Sequence, residues 1–205
     1  MKKQLIVLLA VLALAGCASK NGNAAPETFT ATSANGLAIG TITFEGDVPM
    51  NDIYRFFYEG QTGDKKFNKQ NADRIIINGR TDGKSVFNGD FNNKKTYLFV
   101  LEVKPGSYAF TKYNHLDHLG PQGMVTESKP FGIPFEVKAG AITYIGEMSY
   151  VDKAAKGEPK IFVADYFNRD LPEFKKKYPN IDWEKADNKT PKTGNKGENM
   201  VDFRN

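Results

Sequence analysis

Nine short stretches of alternating β-branched and aromatic residues, each closed off by Gly, Pro, Asn or Asp, constrain this chain more than any other feature. They fall at residues 37–44, 53–58, 74–77, 85–91, 96–103, 107–113, 133–137, 141–151 and 160–166. In the first, Leu37, Ile39, Thr41 and Thr43 alternate with Ala38, Gly40, Ile42 and Phe44, and Glu45, Gly46 and Asp47 follow as a turn cluster. A period of two sends successive side chains to opposite faces of a pleated strand, so each stretch reads as a strand with one face toward a core. Many short strands broken by turns predict a mainly β protein, a sandwich or an open barrel.

Two turns echo one another. Glu102, Val103, Lys104, Pro105, Gly106 and Ser107 lead into Tyr108, while Glu136, Val137, Lys138, Ala139, Gly140 and Ala141 lead through Ile142 and Thr143 into Tyr144. Proline pre-sets φ at the second turn position and glycine supplies positive φ at the third, so both segments read as hairpin turns. The first phrase, an apolar strand, Lys104-Pro105-Gly106, then Ser107-Tyr108-Ala109-Phe110, resembles the strand pair of prealbumin-like and carboxypeptidase-regulatory-like domains. That resemblance implies a single antiparallel β-sandwich, Ig-like or prealbumin-like, and carries no functional residue with it.

One short C-terminal helix is expected. Asp170 is placed to cap it, Pro172 to sit in its first turn, Glu173 to complete a capping box and Pro179 to end it. Phe174 and Tyr178 then share a face and, with Ile181 and Trp183, are expected along the sandwich edge, closing an open end of the core.

The amino-terminal residues carry a different message. Lys2 and Lys3 precede an apolar run over 5–14, and Ala15 and Gly16 stand before Cys17, the order of an export signal. A membrane-spanning helix takes about 20 apolar residues, and polar residues begin here at Ser19. Leu14, Ala15, Gly16 and Cys17 resemble the lipobox of bacterial lipoproteins. The resemblance implies cleavage before Cys17, lipid on its thiol, and a fatty acyl group such as palmitate on the new amino terminus. Several acyl chains together hold a protein on a bilayer where one binds only marginally. Ala18 and Ser19, with no aspartate, resemble the residues that direct such proteins to the outer membrane.

These readings divide the chain into a signal peptide at 1–16, a lipidated amino terminus and tether at 17–33, a β domain at 34–183 and a disordered tail at 184–205. The tether and tail are rich in Ala, Asn, Thr, Lys and Gly and poor in bulky apolar residues. Met200, Val201 and Phe203 are the tail's only candidates for docking on the domain. The net charge of +4 falls to +2 once Lys2 and Lys3 are removed, and the remaining basic residues lie among acids, a pattern that argues against a nucleic-acid partner.

Candidate chemistry is sparse. His115 and His118, with Asp117 between them, could share Zn or Cu if their segment made a helical turn. A structural zinc takes four protein ligands and a catalytic one three, and no second His or Cys cluster supplies them. The Asn-Gly and Asp-Gly pairs over 78–93 lack the spacing of a calcium loop and read as turns. No serine lies in a Gly-x-Ser-x-Gly elbow. Asp64, Asp73, Asp82 and Asp90 fall among turn residues, where aspartate bonds its own backbone. Tyr54, Phe56 and Tyr58 share one face of a strand that alternates with Arg55 and Phe57, and are the candidate platform for a glycan or peptide.

The expected protein is therefore a non-catalytic envelope lipoprotein that needs no cofactor. Its expected partners are the membrane, through the lipid on Cys17, and an envelope protein or glycan. A metal-binding module built on His115 and His118 is the first alternative, and a hydrolase without a familiar motif is the second.

Overall fold

The computed structural model describes residues 25–46, 49–118 and 123–204. In chain order its elements are β1 (Gly36–Glu45), β2 (Ile53–Gly60), α1 (Lys65–Gln70), β3 (Asp73–Asn78), β4 (Arg80–Thr81), β5 (Lys84–Ser85), β6 (Thr96–Val103), β7 (Gly106–Asp117), β8 (Met124–Glu127), β9 (Ile133–Val137), β10 (Ile142–Val151), β11 (Ile161–Ala164), α2 (Phe167–Lys177), β12 (Ala186–Asn188) and β13 (Val201–Phe203). A single turn of 3₁₀ helix, Trp183–Lys185, precedes β12. The first sheet has the order β13-β11-β10-β1-β6, with β12 also on β10. The second has the order β3-β2-β7-β8, with β9 also on β7, and β4 and β5 form a separate hairpin. The turn of that hairpin is Asp82 and Gly83, both at positive φ, as the Asp-Gly pair predicts.

The protein is mainly β and carries two sheets rich in antiparallel pairs. Three pairs in the first sheet are parallel: β1 with β10, β10 with β12 and β11 with β13. This corrects the expectation of antiparallel pairing throughout. The two turns expected to close hairpins also do something else. β6 belongs to the first sheet and β7 to the second, and β9 belongs to the second while β10 returns to the first. Both turns therefore carry the chain from one sheet to the other. Turn chemistry fixes the reversal, with Gly140 at φ +65° and Ala141 N donating to Lys138 O. It does not decide whether the two strands pair edge to edge.

The alternation in β1 is preserved, but both of its faces are covered. Ala38, Ile42 and Phe44 pack against Tyr54, Phe56 and Tyr58 of β2, Phe110 of β7 and Phe135 of β9 within one core cluster. On the other face Leu37 and Ile39, with Leu98, Val100, Ile142 and Tyr144, pack under Phe174, Ile181 and Trp183. The helix expected at the edge of the sandwich thus lies over the outer face of the first sheet. It is also longer than expected: it starts at Phe167, keeps Pro172 inside it and buries Asp170, so Asp170 does not cap it. Its first amide, Phe167 N, donates to Asp165 Oδ1 instead.

The carboxyl-terminal segment is not a disordered tail. β12 extends β10 and β13 lies beside β11, with Val201 and Phe203 buried in the main core. The segment 25–33 is also less free than its composition suggests, because Phe29 and Ala25 pack into the cluster under α2.

Gly146, at φ +92°, makes the bulge that gives β10 two different faces. Ile142 and Tyr144 face α2, and without an extra residue Gly146 would follow them and Glu147 would point into the aromatic core. The register instead steps from Ile39↔Tyr144 to Thr41↔Glu147, so Glu147 and Ser149 face α2 while Met148 and Tyr150 face the core. A Cβ on Gly146 would sit 2.8 Å from Thr190 Cγ2, in a backbone conformation that L residues avoid. Gly146→Ala is expected to cost about 1–2 kcal/mol. Urea denaturation checks it, and an unchanged midpoint would show that the bulge tolerates a side chain.

Candidate binding groove

Among the described residues β9 pairs with β7 on one side only, and its other side borders an open groove of about 710 Å³. The opposite bank is formed by Asp187 of β12 and by the strap that runs from β12 to β13, represented by Lys189 and residues 191–195. The strap is tied to the start of β9 by a pair of backbone bonds: Gly132 N donates to Asn195 O at 2.8 Å, and Asn195 N to Gly132 O at 3.0 Å. That approach requires small residues. A Cβ on Gly194 would lie 2.2 Å from Gly132 O and 2.7 Å from Phe203 Cζ. Beyond the tie the strap and β9 diverge, and the groove opens between them.

The groove is mostly apolar, with a few polar groups placed along it. Tyr108 and Phe135 stack 5.4 Å apart at 13° and contribute to its floor, with Ala109 and Pro134 beside them. The Tyr108 hydroxyl is already used, donating to Lys104 O at 2.8 Å, and burial pushes its pKa up to about 12. Ser107, Thr143, Lys138 and Lys192 also line the groove, and none of the four side chains has a hydrogen bond or ion pair among the described residues. An apolar cleft carrying a few unclaimed polar groups has the form of a small-molecule site.

A second polar constellation lies under α2 and is closed. Glu147 accepts from the hydroxyls of Thr43 and Ser149, each at 2.6 Å, and from Arg169 Nη2. Asp170 accepts from Arg169 Nε at 2.7 Å, Thr41 Oγ1 at 2.8 Å and Tyr144 OH at 2.7 Å. Burial pushes the Asp170 pKa up, and the bonds from Arg169, Tyr144 and Thr41 pull against it. Burial works against the charge on Arg169, but Asp170 and Glu147 outweigh it and hold the guanidinium pKa above its usual value. The guanidinium also stacks 4.1 Å from the Tyr166 ring centroid. All these donors and acceptors are spent on one another, so the cluster pins α2 to the first sheet.

The residues singled out by sequence are dispersed. Tyr54, Phe56 and Tyr58 are 0, 1 and 5 % exposed and face the first sheet, which removes them as an external platform. The reason is that this aromatic face is what the second sheet buries. His115 lies on β7 and His118 just beyond its end, so no helical turn brings their rings together. His118 N and Nδ1 both contact Asp52 Oδ2, at 2.7 and 2.8 Å. The backbone and side-chain bonds from His118 hold the Asp52 carboxyl below its usual pKa. His115 Nδ1 is buried without a hydrogen bond among the described residues, and burial lowers its pKa. No group of three His, Cys, Asp or Glu suited to a metal occurs among the described residues. Cys17 lies outside them.

Sequence reasoning missed the groove because one bank belongs to the segment read as a tail. The only local signal was the turn chemistry of Pro191, Lys192, Thr193 and Gly194, which marks a change of chain direction and not a wall. No protein-family profile, no curated protein and no solved structure matches this chain.

Proposed function

We propose that this is an envelope lipoprotein, anchored through Cys17 at the outer membrane, whose β domain is a non-catalytic binding module of the Ig-like or prealbumin-like sandwich type. The observation that carries the binding reading is the groove beside β9, an open apolar cleft whose Ser107, Thr143, Lys138 and Lys192 side chains are unclaimed among the described residues. The anchor reading rests on Leu14-Ala15-Gly16-Cys17 after a charged and then apolar start. No helix among the described residues is long and apolar enough to cross a membrane.

Replacing Cys17 by Ser tests the anchor. A hydroxyl does not take the thiol's place in thioether formation, so the variant is expected to lose all incorporation of a clickable palmitate analogue and to leave the membrane fraction. The domain should still fold, because both hydrophobic clusters among the described residues are complete without Cys17. Equal labelling of wild type and variant, or no labelling of the wild type, would remove the anchor from this reading.

A further inference from the structure

We infer that the groove takes a flexible apolar chain ending in a single negative charge, a long-chain carboxylate, with its acid held by Lys138 and Lys192. This rests on the reading of the groove as a binding site. The charge follows from the lining. Three lysines and two acids border the groove, and Lys189 pairs with Asp187 at 2.9 Å. Among the described residues that leaves Lys138 and Lys192 against Glu136, an excess of one positive charge that suits a monoanion. Lys138 follows β9 on one bank and Lys192 lies on the strap, so both banks supply positive charge to the groove.

Two other ligand classes fit the geometry poorly. An extended peptide would have to add to β9 as a strand, continuing outward from the Gly132–Asn195 tie. The N–H of Gly132 points at the strap, and two residues further on the outward position is Pro134, which has no N–H to give. Proline at that place blunts the edge against strand addition. A sugar needs an exposed aromatic face, whereas Tyr108 and Phe135, the aromatic residues lining the groove, are 1 and 5 % exposed and offer only their margins. A hydrocarbon chain asks for neither a strand ladder nor a ring face. It needs room beside apolar side chains, and the groove offers about 710 Å³ beside Ala109, Pro134, Ala141 and Pro191.

Photoaffinity labelling of the wild-type protein in its own membranes provides the test. Diazirine-bearing laurate and diazirine-bearing dodecanol are supplied at matched membrane concentrations, and the crosslinked peptides are mapped. The laurate probe is expected to label segments 132–138 and 187–195 at least about tenfold above the alcohol, the strength of one charge-assisted contact in a partly desolvated site. The double variant Lys138→Ala, Lys192→Ala should lower laurate labelling to the alcohol's level and leave the alcohol unchanged. Both lysines are exposed, so the variant should keep the wild-type circular dichroism and melting temperature. Equal labelling of the groove by both probes, or laurate labelling that survives the double variant, overturns the carboxylate and leaves the groove a binding site. Absence of labelling in these segments by either probe overturns both readings.

Discussion

Arg169→Met should destabilise the domain by about 3 kcal/mol, the lower end of what breaking a buried ion pair costs, because the guanidinium is one-third exposed and partly screened. Methionine keeps much of the apolar stem, so the effect isolates the charge. Glu147 and Asp170 are 2 and 0 % exposed and would be left facing each other with only hydroxyl donors. Either two buried carboxylates stay charged without a cation, or one takes up a proton, and both outcomes cost stability. The sign of the pH dependence follows. Burial already raises the Asp170 pKa, and removing Arg169 takes away a group that lowers it. The folded variant should therefore bind a proton at a pH where the unfolded chain does not, and its deficit should shrink as pH falls toward the ordinary carboxylate range. Denaturant midpoints measured at pH 7.5 and pH 5 check this. A deficit below about 1 kcal/mol at pH 7.5 would mean that the cluster is solvated and does not hold α2.

The strands were the legible part of this fold because their alternation records burial directly. The segments read at 37–44, 53–58, 74–77, 96–103, 107–113 and 133–137 lie within strands, that at 141–151 lies in β10 but for its first residue, and that at 160–166 holds β11 at its centre. Residues 85–91 are the exception: only Ser85 lies in a strand, while Phe87 and Phe91 pack from irregular backbone. Alternation cannot report what covers the second face. Leu37 and Ile39 sit at the positions a half-solvated strand would expose, yet α2 and Trp183 cover them. Nor can a turn sequence report sheet membership, which is why Pro105-Gly106 and Ala139-Gly140 read as hairpins and serve as crossings. Asp170 looked like a cap because aspartate before a proline usually is one. Its three donors come from Thr41, Tyr144 and Arg169, and Thr41 lies 129 positions away in sequence. The groove was hidden for the same reason, since a strap with so few apolar residues gives no local sign of having a wall to form.

Ending the chain at Lys185 should have the largest effect of any change considered, because it removes the segment whose composition looks least structural. Truncation deletes β12 and β13 and with them the outer strand pairs of the first sheet. Val201 is fully buried and Phe203 nearly so, packing in the cluster that also holds Ile161 and Val163. Removing a large buried apolar side chain costs about 2–5 kcal/mol, and here two leave together with the backbone bonds that Lys160 N, Ile161 N and Arg204 N make across the pair. The combined loss reaches the whole stability of an ordinary domain, about 5–15 kcal/mol. The truncated protein is thus expected to lose cooperative melting and to be digested by trypsin under conditions that leave the intact chain whole. Removing only the last two residues, Arg204 and Asn205, should change the melting temperature by no more than a few degrees, since Val201 and Phe203 stay in place. A truncated chain that melts cooperatively within a few degrees of the wild type would show that the first sheet is complete at β11 and that one bank of the groove is dispensable to the fold.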